Sequence, residues 1–185
     1  SNDIQLRNKI KQKYKNINFF LSPKNLGYAG GNNLLLRKVK TDYVLILNPD
    51  CLVSASEILR TYKLMLNLKN LNSKCAIIGS DVEAEIVRNL KLLKKYPICK
   101  YVKGFFMLCD FKVLKKVKFF DEKFFLYLEE IDLCKRVTEA GYKIIAFKNL
   151  KIKHLAGKSS SDRAEYIKLQ TWHWMWSKFY YSCKT

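Results

Sequence analysis

The chain reads as an α/β domain built on a sheet that is largely parallel. Three observations predict this. Short strand-like segments (residues 43–47, 75–79 and 142–147) alternate with stretches of helical length. The first two are apolar throughout, as strands covered on both faces are. With 49% hydrophobic and 14% aromatic residues, 185 residues suffice for one core.

The elements follow in order. Residues 4–15 have helical character, with Asp3 placed as an N-cap. Residues 18–21 form a short apolar segment that reads as a strand, stopped by Ser22-Pro23. The glycine-rich loop 24–33 then feeds a helix through about Lys38. The strand 43–47 is expected to be buried on both faces and to end at Asn48-Pro49-Asp50, because proline has no N–H to continue a ladder. Ser54 or Ser56 opens a helix to about Leu68, and 75–79 is a second buried strand. Residues 81–100 are charged and irregular and give no clear element. Residues 101–109 read as a strand interrupted at Gly104, and 112–116 as a short helix. A helix over 131–140 is closed by Gly141, the residue after its C-cap. Strands over 142–147 and 151–154 precede a final helix over about 162–182. The domain is expected over 1–160, and 161–185 reads as a C-terminal amphipathic helix rich in aromatic and basic residues.

Bulk properties bound the partners. The formal charge of +19 permits nucleic acid, anionic lipid or phosphorylated metabolites. The lysines are scattered, and no nucleic-acid-binding signature is present, so nucleic acid is not expected as a partner. No apolar run reaches the roughly 18–20 residues that span a bilayer, and the first residues have no signal-peptide character, so a cytoplasmic location is the default expectation. None of the six cysteines has C-x-x-C spacing, and most lie in apolar runs. They read as reduced, buried thiols, without the ligand pairs of a zinc site.

Four features could carry chemistry. Five carboxylates, Asp121, Glu122, Glu129, Glu130 and Asp132, lie within twelve residues among Phe120, Phe124, Phe125 and Tyr127. Crowded like charges beside apolar rings raise one another's pKa. On a helix Glu129 and Asp132 share a face and Glu130 points elsewhere; the alternative role is stabilisation of the helix N-terminus. Asp50 follows a buried strand at its carboxyl end, where open α/β sheets place ligands, and could hold a divalent cation; the alternative is a turn or capping aspartate. Gly27, Gly30 and Gly31 allow close backbone approach, and Asn25, Asn32 and Asn33 offer amide groups. That loop is neither a Walker A nor a G-x-G-x-x-G motif. His154 follows a basic strand, and a lone histidine is commonly structural.

Taken in order, these pieces resemble the inverting, nucleotide-sugar-dependent glycosyltransferases of family 2, in particular their rhamnosyltransferase-like branch. The segment from Asn25 through Asn33 is similar to the family's N-x-G-F/Y-A-x-G-x-N loop. Leu47-Asn48-Pro49-Asp50 resembles the form its D-x-D motif takes in this branch, with Asn48 where other members have aspartate. Gly104-Phe105-Phe106-Met107-Leu108 resembles the acceptor-side glycine strand, and 120–136 the most diagnostic segment. His154 stands where the family keeps a late histidine, and the likeness covers about residues 1–160.

The resemblance implies a GT-A-like, Rossmann-related fold, a mixed and mostly parallel sheet flanked by helices. It implies that Asp50 and His154 hold Mg²⁺ or Mn²⁺ on the donor diphosphate. Asn25, Gly27, Asn33 and Asn48 would line the nucleotide-sugar side, and Gly104 the acceptor side. Glu130 matches the catalytic base, where the family has aspartate, with Glu129, Asp132 and Arg136 in support. Ser1-Asn2-Asp3 resembles the end of the family's second-strand motif. The fold is therefore expected to be N-terminally incomplete, with weak donor binding by this chain alone. The implied partners are a nucleotide-sugar donor and a glycan or lipid-linked acceptor, in bacterial surface-polysaccharide assembly. Trp172, Trp174, Trp176, Phe179, Tyr180 and Tyr181 beside Lys168, Lys178 and Lys184 suit an anionic membrane surface, placing the protein peripherally on the inner face of the cytoplasmic membrane; the alternative is a closing helix packed on the core. Two other readings stay open: a non-catalytic or truncated remnant of such an enzyme, and a basic nucleic-acid-binding module.

Overall fold

The computed structural model describes residues 4–80, 86–88, 96–155 and 163–184. Asp3 and parts of 81–100, on which expectations fell, lie outside them. The elements in chain order are α1 (Ile4–Lys13), α2 (Gly27–Leu36), β1 (Tyr43–Leu47), β2 (Cys51–Val53), α3 (Ala55–Asn70), β3 (Cys75–Ser80), β4 (Ile86–Arg88), β5 (Ile98–Cys99), β6 (Phe106–Asp110), α4 (Phe111–Lys116), α5 (Glu129–Glu139), β7 (Lys143–Phe147), β8 (Ile152–His154) and α6 (Arg163–Lys184).

Six strands form one mixed sheet in the order β1-β6-β3-β7-β5-β4, and β2 pairs with β8 in a separate ribbon. The mixed α/β architecture is the expected one. Its parallel share is smaller than the alternation of strand and helix suggests, because β3–β7 is the parallel pair among those described. The strand β6 inserts antiparallel to both β1 and β3. Apolar periodicity reports that a strand is buried but not which way its neighbours run.

Side chains alternate across the central strands, apart from an irregularity between Cys75 and Ile77 that turns Ala76 and Ile77 to the same layer. Ile77, Met107, Cys109, Ile144 and Ala146 face one core layer, which includes Leu114, Leu133 and Val137 of α4 and α5. Ile78, Phe106, Leu108, Ile145 and Phe147 face the other, formed with Leu64, Met65 and Leu68 of α3. Each fully buried aliphatic side chain contributes roughly 1.5–3 kcal/mol of transfer free energy, so these two layers are the main stabilising mass. All of β3 is buried, as expected.

Local chemistry sets the helix ends. Ser54 accepts from the Glu57 N–H and caps α3. Asp110 accepts from the Lys112 and Val113 N–H groups and caps α4. Gly141, at φ +85°, ends α5 where an L side chain would be strained.

Three expectations are corrected. The segment 18–21 forms no strand; Ile17 and Phe20 are exposed, and no ladder partner lies beside it among the described residues. The strand β1 is not buried on both faces: it lies at an edge of the sheet, and of its residues Ile46 alone is fully buried. Residues 24–33 are not a loop throughout, since α2 begins at Gly27 and the glycines form its first turns. The irregular stretch 81–100 contributes β4 and β5.

Candidate functional site

The site gathers at the end of β1 and the start of β6. The chain leaves β1 at Leu47, and Cys51 N–H donates to the Asn48 carbonyl, closing a turn with Pro49 at its second position. Asn48 N–H donates to the Phe105 carbonyl, tying this turn to the segment that enters β6. The β2–β8 ribbon then does the positioning. Cys51 and His154 are direct partners across it, so their side chains share a face. Leu155 N–H donates to the Asp50 carbonyl and extends that pairing.

Asp50 and His154 therefore meet as expected, with Asp50 Oδ1 3.2 Å from His154 Nε2. Single ligand atoms from Asp50, Cys51 and His154 all lie within 4.8 Å of one another. Asp50 Oδ1 is buried and takes no hydrogen bond among the described residues. An unpartnered carboxylate oxygen beside an imidazole and a thiol fits a divalent cation. The His154 ring is stacked on Phe105 with centroids 4.7 Å apart, which fixes its plane.

Glu130 lies against the same segment. Gly104 leaves room there: a Cβ on it would come within 2.8 Å of Tyr28 Oη and 3.6 Å of Glu130 Cβ. The Tyr28 hydroxyl donates to the Gly104 carbonyl at 2.5 Å. Burial, and the neighbouring Glu129 and Glu130 after it, push the Tyr28 hydroxyl well above its usual pKa. Tyr28 is anchored in turn by its N–H, which donates to the Phe125 carbonyl at 2.8 Å. Gly27, at φ +67°, lets this backbone approach happen, since a Cβ there would stand 2.2 Å from that same carbonyl oxygen. Asn25 Oδ1 accepts from the Gly27 N–H and holds the turn into α2.

The entry to α5 is strained. Tyr127 and Leu128 both have positive φ, at 74° and 66°. Such left-handed residues cost of order 1–3 kcal/mol each and concentrate at functional sites. They swing the chain so that the first turn of α5 points into the site. Glu129 is 5% exposed, and burial, followed by the charge of Glu130, pushes its carboxyl up to about 8. Burial also raises Glu130, against lowering by backbone N–H groups and Lys103. One oxygen of each, Glu129 Oε2 and Glu130 Oε2, is buried without a hydrogen-bond partner among the described residues.

Other residues singled out in the sequence go elsewhere. Glu129 and Asp132 are both buried in the first turn of α5, as residues three apart on one face, but their partners differ: Glu129 couples to Glu130 and Tyr28, while Asp132 meets Arg136 at 2.8 Å and Lys184 at 2.6 Å. Arg136 also donates to the Val117 carbonyl. Asn33 is buried; its amide donates to the Phe120 carbonyl and Glu122 and accepts from the Phe120 N–H. Asn33 and Arg136 line a separate groove with Arg37, Glu122 and Lys184. Sequence reasoning missed Cys51 and Tyr28. The adjacency of Cys51 to Asp50 was a visible signal; the reach of Tyr28 to Gly104, 76 residues away, was not.

The helix α6 packs on the segment before the glutamates. Ser177 donates to the Leu126 carbonyl, Trp176 to the Lys123 carbonyl and Tyr180 to Asp121. His173 stacks on Phe125. The opposite face of α6 leaves Leu169, Trp172, Met175 and Phe179 exposed at helical spacing. Among the described residues no helix is long and apolar enough to cross a membrane.

Comparison with known proteins places this geometry in a family. The chain is 24% identical over 202 residues to rhamnosyltransferase WbbL of Escherichia coli (strain K12), a match covering 92% of this chain and 75% of that protein. It is 25% identical over 151 residues to the low-salt glycan biosynthesis hexosyltransferase Agl10 of Haloferax volcanii, covering 71% of this chain and 49% of that protein. The family model described as glycosyl transferase family 2 matches residues 2–134, from before α1 into α5. Since that match takes in most of the chain, including the turn after β1 and both glutamates, the protein belongs to glycosyl transferase family 2.

Proposed function

We propose that this chain moves a hexose or deoxyhexose from a nucleoside-diphosphate sugar to a hydroxyl of a glycan or lipid-linked acceptor, with inversion, in bacterial surface-polysaccharide assembly. One observation carries the reading. Among the described residues, three buried carboxylate oxygens take no hydrogen bond, on Asp50, which faces His154, and on Glu129 and Glu130; the Asp50 turn and Glu130 both border the segment that leads through Gly104 and Phe105 into β6. Leaving such groups unsatisfied is costly unless a ligand completes them. The names of the two relatives, a rhamnosyltransferase and a hexosyltransferase, support the sugar class.

Glu130 is the base. Its raised pKa makes the carboxylate a stronger proton acceptor near neutrality. It takes the acceptor hydroxyl proton as that oxygen attacks the anomeric carbon from the side opposite the diphosphate, and a single displacement inverts the centre. Glu129, pushed up to about 8, carries a proton at neutral pH and donates a hydrogen bond to the sugar or the acceptor. Asp50 and His154 would hold Mg²⁺ or Mn²⁺, which neutralises the leaving diphosphate when bound. Tyr28, through Gly104, keeps the acceptor side open beside Glu130.

The exposed aromatic stripe of α6, with Lys168 on its flank and a net charge of +19, suits the headgroup layer of an anionic membrane. A lipid-linked acceptor would be met there, which fits a cytoplasmic enzyme held peripherally on the inner face.

The test is Glu130→Gln. Transfer from a panel of nucleoside-diphosphate sugars is expected to fall by ~10²–10⁴-fold while donor binding stays within about threefold. Full transfer by the variant would remove Glu130 as base.

A further inference from the structure

We infer that Cys51 is a metal ligand, so that the cation site after β1 prefers a borderline-soft divalent ion such as Zn²⁺ or Co²⁺ over Mg²⁺ when no donor is bound. The inference deepens the metal role proposed above and rests on it for the site's location.

The donor set argues for it. The protein offers one carboxylate, one thiol and one imidazole there, with ligand atoms within 4.8 Å of one another. Oxygen-seeking Mg²⁺ demands near-octahedral oxygen coordination, and it gets one protein carboxylate. Asn48, two residues before Asp50, offers an amide where a second carboxylate would help. A thiolate and an imidazole instead select Zn²⁺ and its neighbours, which accept a tetrahedral set of three protein groups and one outside group.

The backbone holds the three groups ready. Cys51 and His154 are opposite each other on the β2–β8 ribbon, so neither needs a long loop to close. Stacking on Phe105 orients the His154 ring. The Cys51 thiol donates to the Phe105 carbonyl at 3.6 Å, on the segment that also supports the glutamates. Cation binding converts Cys–SH and M²⁺ to Cys–S–M⁺ plus a proton released to solvent. No electron transfer is involved.

The other thiols do not compete. Cys75, Cys99, Cys109 and Cys134 are buried in the core, and Cys183 is exposed on α6 and is removed by substitution in the test.

The experiment is a Co²⁺ titration of the Cys183→Ser chain, reduced and free of chelator, without donor or acceptor. A thiolate-to-cobalt charge-transfer band is expected that saturates at one ion per chain, is displaced by Zn²⁺ and survives excess Mg²⁺. Adding Cys51→Ser should abolish the band and weaken Co²⁺ binding at least about tenfold. Adding Cys51→Asp instead should keep a bound Co²⁺ without the band and improve Mn²⁺ binding, which shows that the folded site remains. Absence of the band in the Cys183→Ser chain, or its persistence after Cys51→Ser, overturns the inference. Because no sugar is transferred in this measurement, its failure leaves the Glu130 test standing, and failure of that test leaves the spectrum standing.

Discussion

At the scale of single residues, Glu129 links the site to stability. Its carboxyl holds a proton up to about 8 in the folded chain. The unfolded chain releases that proton at an ordinary carboxylate pKa, about 4.3. Between these values the folded state binds more protons, so the stability this group confers is complete at acid pH and is lost as pH rises through about 8. Urea midpoints should decline from pH 5 to pH 8, and Glu129→Gln should flatten the decline by on the order of 2 kcal/mol. An unchanged slope in the variant would contradict the buried, protonated state. Gly27 makes a second test. Gly27→Ala puts a methyl 2.2 Å from the Phe125 carbonyl oxygen at φ +67°. The chain should lose roughly 2–4 kcal/mol in denaturant melts or break the Tyr28 N–H bond to that carbonyl. Asp50 and Glu130 stood out in the sequence because each lies in a short motif, while His154, a lone histidine, stood out through the family resemblance. Cys51 and Tyr28 were missed: adjacency to Asp50 marked Cys51, but its pairing with His154 depends on the β2–β8 register, and the role of Tyr28 depends on a contact between distant segments.

At the scale of elements, α6 is tied to α5 by its end. Lys184 reaches Asp121 at 2.7 Å and the buried Asp132 at 2.6 Å. Asp132, 2% exposed, otherwise depends on Arg136. Lys184→Ala should cost about 1 kcal/mol, since the lysine is partly exposed, and lower the thermal midpoint by ~2–4 °C. No change in midpoint would make that pairing incidental. The helices were largely legible because caps and stops are local: Ser54 for α3, Gly141 for α5. The strands were less so. Residues 43–47 carry the apolar pattern of a buried strand, yet β1 lies at the sheet's edge. Pattern describes a strand's own faces, and burial depends on what the rest of the chain brings to it. The glycine-rich turn was missed as helix because glycine disfavours helices on propensity alone, while packing of Ala29, Asn33 and Leu36 overrides it.

At the scale of the whole molecule, the mixed sheet brings the turn after β1 and Glu130 to the same segment that enters β6. The α/β class and the order of motifs could be read from sequence, but the antiparallel insertion of β6 between β1 and β3 could not. Charge and shape also combine here. In the membrane contact proposed above, a net charge of +19 would favour anionic surfaces, and the outward stripe of α6 would offer apolar area to insert. Co-sedimentation with vesicles rich in anionic lipid should exceed that with neutral vesicles severalfold and weaken with salt. Replacing Trp172 and Phe179 with serine should reduce it, and the same recovery for variant and parent would point to a protein partner for this face. One consequence follows from the pair of left-handed residues, Tyr127 and Leu128. The helix α6 braces them, through Ser177 on Leu126 and Trp174 against Tyr127. The terminal helix thus acts as a tensioner, and slackening it would let the glutamates drift out of aim while the sheet behind them stayed intact.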